Sequence, residues 1–245
     1  MSKVLVAVNV LDTVSSQVYG SHCQEWFRMG RNNTDDQFIL FHPNRLSIDN
    51  ARNQAAIYAQ MYECDYIYFV DDDMILTPNT YSSLKACNAD IAQALTYIRS
   101  YPFNMMAFRN SENHKLDYFN NWQDFVDYQG NVECEAVGFA CVLIKTSLFK
   151  KIQPPYFVTG VGVTEDVYFC LKLRQSIEAN YLRIVVDTKV PTSHLLHPEG
   201  LNVFNREKLL AHYAEENKHV NGKDRGEEYL DMAKGQFQRS KTGAR

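Results

Sequence analysis

Asp71, Asp72 and Asp73 stand directly after the strand-favouring run Tyr66-Ile67-Tyr68-Phe69-Val70. Alternate side chains of an extended segment point the same way, so Asp71 and Asp73 can converge while Asp72 points elsewhere. Carboxylates that close together repel each other, and a hard divalent cation such as Mn2+ or Mg2+ relieves them. A cation held there would carry a phosphorylated ligand. The competing reading is a solvated acidic turn, with Asp72 capping the helix that Thr77-Pro78-Asn79 announces.

A second acidic pair, Glu165-Asp166, follows a loop with two glycines, Gly160 and Gly162. Thr164 can cap a helix there, and acids suit its first turn, which accounts for one acid. Two acids at the end of a glycine loop point to a general base. Arg52 lies near the start of a helical pattern in which Ile48, Ala51, Ala55, Tyr58 and Tyr62 recur at steps of three and four. It is either a phosphate or nucleotide contact or a surface partner of Asp49. His194 and His197 are ordinary loop histidines unless an acidic metal site stands nearby, in which case each is a candidate ligand.

These residues need a scaffold. Residues 3–10 read as a buried first strand, 11–20 as a loop, 22–29 as a short helix and Gln37–Phe41 as a second strand. After the acidic strand come a helix over 79–88 and a strand over 90–95. A further strand spans 183–187 and a charged helix 203–220. This alternation argues for an α/β fold with a mixed, mostly parallel sheet flanked by helices. Ligands of such sheets bind at the carboxyl ends of the strands, where Asp71–Asp73 fall. Residues 97–128, rich in Asn, Phe, Tyr and Met, read as loops with short strands and as a binding element. Phe103, Phe119 and Trp122 either pack there or line a pocket. Residues 132–145 read as one strand with a small-residue break at Gly138, where the backbone comes close to a ligand or another segment.

At 245 residues the chain fits one large domain over 1–200, with 201–245 a C-terminal helix and basic tail. Lys and Arg number 25 against 29 Asp and Glu, a net charge of −4, which removes a global basic footprint for nucleic acid. No apolar run approaches the roughly 18 residues of a membrane span, and the first apolar run is too short for a signal peptide. Six scattered cysteines with no CxxC pair predict buried thiols and a cytoplasmic location.

Taken in order, these pieces resemble a glycosyltransferase of the GT-A (Rossmann-like) fold, family 2-like, from about Lys3 to His197. The resemblance implies transfer of a hexose or pentose from a nucleoside-diphosphate sugar to an acceptor hydroxyl, with inversion. It implies Asp73 as metal ligand with Asp71 as partner, and His194, seven residues past Asp187, completing the site. Asn50-Ala51-Arg52-Asn53 is similar to the helix start that contacts the nucleotide. The donor-binding set expected is Asp49, Arg52, Asp71, Asp72 and Gly138. Thr164-Glu165-Asp166 is similar to the segment that supplies the base, Asp166 before Glu165. Where the family pattern has a second glycine after Gly138, Ala140 stands here, which narrows room near the sugar or acceptor. The acceptor expected is a glycan, a small molecule, a protein or a hydroxymethylated DNA base. The competing classes are a nucleotidyltransferase, which would release free diphosphate, and a non-catalytic nucleotide-sugar-binding module.

Overall fold

A strand buried on both faces carries an unbroken apolar run, and Val4 to Val8 and Ile67 to Val70 are such runs. The computed structural model describes residues 1–10, 13–43, 45–110, 116–119, 130–160, 162–177, 181–196, 199–202 and 204–217. The chain runs β1 (Lys3–Asn9), α1 (Ser16–Asn32), β2 (Gln37–Phe41), α2 (Ile48–Met61), β3 (Tyr66–Asp71), β4 (Met74–Ile75), α3 (Thr80–Ala86) and β5 (Ile91–Leu95). It continues through β6 (Ala107–Asn110), β7 (Leu116–Tyr118), β8 (Asn131–Glu133), β9 (Ala136–Val137), β10 (Cys141–Lys145) and a 3-10 helix (Thr146–Lys151). Last come α4 (Glu165–Ser176), β11 (Ile184–Pro191), β12 (Ser193–Leu196), β13 (Glu199–Leu201) and α5 (Arg206–Asn217).

Seven strands form the central sheet in the order β2-β1-β3-β10-β5-β11-β8. β2, β1, β3, β5 and β11 run parallel, while β10 lies antiparallel between β3 and β5 and β8 is antiparallel at the edge. This is the α/β, mixed and mostly parallel fold that the alternation predicts. One face carries α2 and α4 on a phenylalanine cluster that includes Phe69, Phe139, Phe149, Phe157 and Phe169. The other carries α1 and α3 over Tyr68, Met74 and Tyr81. Two small sheets, β13-β12-β4 and β7-β6-β9, are added to this frame.

Several sequence expectations change. The predicted loop 11–20 and short helix 22–29 give way to one helix of 17 residues, because Ser15 caps it through Val18 N at 3.2 Å. The single strand expected over 132–145 is three strands, pairing with β11, β6 and β3 in turn. The break is at Gly138, whose N–H donates to Met106 O at 2.8 Å. The predicted strand over 183–187 continues to Pro191 past an irregularity after Asp187. Phe103 is fully buried, Phe119 packs at the edge of the core, and Trp122 lies outside the described residues, as do 218–245. Five cysteines are buried, Cys23 is partly so, and all six are free thiols. Among the described residues no helix is long and apolar enough to cross a membrane.

A β-carbon at Gly138 would stand 2.5 Å from Met106 Cε and 2.9 Å from Met106 Cβ. Gly138→Ala should therefore lower the urea midpoint by an amount corresponding to about 1–3 kcal/mol. Adding Met106→Ala should cost less than the sum of the two single changes, since the collision with Cε and Cγ is then gone and only the Cβ contact remains.

Candidate functional site

The centre of the site is Arg52, in the first turn of α2 and 2% exposed. Its guanidinium lies 5.2 Å from the Phe69 ring centroid and 5.7 Å from that of Phe139. All three nitrogens have protein partners. Nε donates to Glu165 Oε1 at 3.1 Å, Nη1 to Phe139 O at 2.9 Å, and Nη2 to Asp71 Oδ1 at 3.2 Å. One side chain thus ties β3, the β9–β10 connection and the start of α4 together. Burial works against its charge, and Asp71, Glu165 and Asp166 more than offset that.

Asp71 ends β3 beside Asn9, its register partner at the end of β1, and Asn9 Nδ2 donates to Asp71 Oδ1 at 3.2 Å. Burial raises the Asp71 carboxyl, with Arg52 pulling the other way. Ala140 O accepts from Asp71 N at 2.8 Å, so the antiparallel β10 delivers Phe139 and Ala140 to the carboxyl edge.

Glu165 and Asp166 open α4. The preceding loop bends through Gly160 and Gly162, both at positive φ (86° and 89°). Thr164 makes no side-chain cap here. Instead Asp166 Oδ1 accepts from Val167 N at 2.7 Å and Oδ2 from Phe139 N at 3.2 Å. Burial, reinforced by Asp166, pushes the Glu165 carboxyl up to about 7 against the pull of Arg52.

Asp73 lies in the turn between β3 and β4. The pairing of β12 with β4 sets His194 opposite Met74, and Leu195 N donates to Asp73 O at 2.8 Å. His194 Nε2 is 3.3 Å from Asp73 Oδ1, and Arg99 Nη1 is 2.9 Å from Asp73 Oδ2. Burial raises the Asp73 carboxyl, but His194 and Arg99 outweigh it and hold it below its ordinary range. His194 Nδ1 lies 2.7 Å from Tyr97 O, a contact that orients the ring with Nε2 towards Asp73.

A cleft of about 460 Å³ brings Arg52, Asp71, Arg99, Glu165, Asp166 and His194 together, with Ile48, Ile98, Met106 and Ala140 among its apolar walls. Three residues of the expected donor set lie elsewhere. Asp49 sits beside Ser47 and Asn50 at the start of α2, accepting from Ser47 Oγ at 2.6 Å. Asp72 stands in the β3–β4 turn, and Gly138 rests against Met106. His197 lies outside the described residues. Among the described residues no three His, Cys, Asp or Glu side chains converge as a metal site. Asp73 Oδ1 is nonetheless buried without a hydrogen bond. With His194 Nε2 facing it, this pair fits two positions of a divalent cation whose other ligands come from phosphate oxygens and water.

Sequence reasoning did not single out Arg99 or Asn9, and it took Asn53 only as part of the helix start similar to a nucleotide contact. Asn53 Oδ1 accepts from Tyr156 N at 2.8 Å and its Nδ2 donates to Phe157 O at 2.7 Å, pinning the Pro154-Pro155 turn to α2. A polar residue closing an apolar strand was the available signal for Asn9, and its place beside Arg52 at a helix start that for Asn53. Arg99, a single cation in an irregular segment, carried none.

No protein-family model matches the chain, and no curated protein matches it. Among solved structures, A197 from STIV is 16% identical over 82% of this chain and 90% of that one, with a TM-score of 0.54. GalNAc-T7 with UDP, GalNAc and Mn2+ is 12% identical, with a TM-score of 0.49 over 80% of this chain and 44% of that one. S. aureus TarS 1-349 is 14% identical, with a TM-score of 0.43 over 99% of this chain and 74% of that one. At these identities the likeness is one of fold.

Two outcomes follow from the buried charges. Arg52→Met should destabilise the protein by about 3–5 kcal/mol in urea unfolding, because it leaves buried carboxylates without their cation. Glu165 is ordinarily at 4.5 and rises to about 7. Between those values the folded protein keeps a proton that the unfolded chain has lost. Stability should therefore fall as pH rises through this window and level off above it. Glu165→Gln should remove that slope in melting temperature measured from pH 4.5 to 8.

Proposed function

We propose that this chain is a glycosyltransferase that moves a sugar from a nucleoside-diphosphate sugar to an acceptor hydroxyl with inversion. The observation that carries this reading is one cleft at the carboxyl edge of the sheet lined both by Glu165-Asp166 and by His194, the partner of Asp73. Arg99 and His194, which line it, both hold Asp73. Separate places for a cation and for a base are what transfer to a hydroxyl requires.

Asp166 is the base. Its carboxylate has about four lone-pair sites, and Phe139 N–H and Val167 N–H occupy two of them. Those two bonds fix the carboxylate and leave capacity to accept the proton of an acceptor hydroxyl. Glu165 is a positioning residue that holds Arg52 Nε, and through it Asp71. Asp73 and His194 would hold Mn2+ or Mg2+, which when bound offsets the charge growing on the leaving diphosphate. Ile48, Ile98 and Met106 supply the apolar wall against which a donor lies, and Ala140 limits the space beside it.

Asp166→Asn should retain donor binding in calorimetry and lower transfer by about 10²–10⁴-fold. An Asp166→Asn protein with wild-type turnover would remove it from the base role. Asp73→Ala should abolish the effect of Mn2+ on donor affinity while leaving the fold intact by circular dichroism.

A further inference from the structure

The cleft is acidic where its proposed ligand is also acidic. Asp71, Glu165 and Asp166 line it with Arg52, Arg99 and His194, and Asp73 pairs with the last two. Arg52 is buried, and its nitrogens are taken by Glu165, Phe139 O and Asp71. Arg99 differs from it in every respect. It is 52% exposed, lines the cleft, and makes its ion pair with Asp73 through Nη1. A guanidinium has five N–H donors in a planar fork, the geometry that matches phosphate oxygens.

The partner of Arg99 makes this arrangement a switch. Asp73 Oδ2 is held by Arg99, while Oδ1 is buried, has no hydrogen bond and faces His194 Nε2. A largely buried carboxylate without a cation is costly, and Arg99 supplies the charge that Asp73 needs. The segment bearing Arg99 is also anchored where it leaves the cleft. Arg206 of α5 donates to Phe103 O at 2.9 Å and to Pro102 O at 3.2 Å, and its guanidinium lies 5.6 Å from the Tyr97 ring centroid. Tyr97 O in turn holds His194. The backbone on both sides of Arg99 is therefore fixed while its side chain remains half in solvent.

We infer that Arg99 is the diphosphate-binding cation of this cleft, paired with Asp73 until a divalent cation binds Asp73 and then released to the diphosphate. This rests on the nucleotide-sugar reading above. Arg99 and a divalent cation then compete for Asp73 in the absence of nucleotide and cooperate in its presence. An arginine with a purely structural role would produce neither effect.

The test is calorimetry on wild type, Arg99→Met and Arg99→Lys. Each is titrated with Mn2+ alone, and with UDP, GDP, ADP and CDP in saturating Mn2+. Arg99→Met keeps an apolar stem at a half-exposed position and should fold, which its melting curve verifies; Arg99→Lys keeps the charge and guards against a folding defect. Arg99→Met should bind Mn2+ alone several-fold more tightly than wild type. It should bind the preferred diphosphate about tenfold or more weakly, the loss of a charge-assisted hydrogen bond. Arg99→Lys should fall between the two. Equal diphosphate affinity in wild type and Arg99→Met, or Mn2+ affinity that does not rise, would overturn the assignment of Arg99. If wild type binds none of the four diphosphates with Mn2+ present, the nucleotide-sugar reading falls and this inference with it.

Discussion

A buried guanidinium among carboxylates is the constraint on which this structure depends. Arg52 cannot lose its proton and has almost no access to water, so it persists only where acids and carbonyls satisfy each nitrogen. Asp71, Glu165 and the Phe139 carbonyl do so from three separate parts of the chain. The same acids could not be buried without Arg52. Each group is tolerable because the others are present, so the arrangement forms as a unit and fixes β3, the β9–β10 connection and α4 relative to one another. The phenylalanine rings around it exclude water and strengthen these contacts.

The antiparallel strand β10 makes that meeting possible. A wholly parallel sheet would bring only strand ends to the carboxyl edge. With β10 reversed between β3 and β5, a strand beginning also arrives there, carrying the Phe139 N–H that holds Asp166 and the carbonyl that holds Arg52. A second short pairing, β4 with β12, does the equivalent for His194 and Asp73. The cleft thus has a rigid side, tied through Arg52, and a side in which Arg99 is half-exposed.

Much of this was legible in the sequence, for identifiable reasons. The run from Tyr66 to Asp73 could be read because a strand buried on both faces has no other pattern, and its acids then fall at an edge. Glu165-Asp166 could be read from the glycines before them. Arg52 stood out only through its neighbours, and neither its burial nor its three partners could be read, since they lie 19, 87 and 113 residues away. β8, β9 and β10 read as one strand because a run of small and apolar residues does not reveal how many partners it has. Arg99 was invisible because its importance arises from a return of the chain over Asp73, which no local pattern encodes. Asp49 and Gly138, expected at the donor, are seen here at a helix start and at a close approach to Met106.

The central claim is that this cleft holds a nucleoside-diphosphate sugar with the help of a divalent cation. The most direct measurement is calorimetric titration of the wild-type protein with a panel of nucleoside-diphosphate sugars, with Mn2+ and with a chelator. The account predicts saturable binding of one member that depends on Mn2+ and is displaced by the matching nucleoside diphosphate. Absence of binding by every member with Mn2+ present would contradict it and reduce Asp71 to Asp73 to an acidic turn stabilised by Arg52, His194 and Arg99.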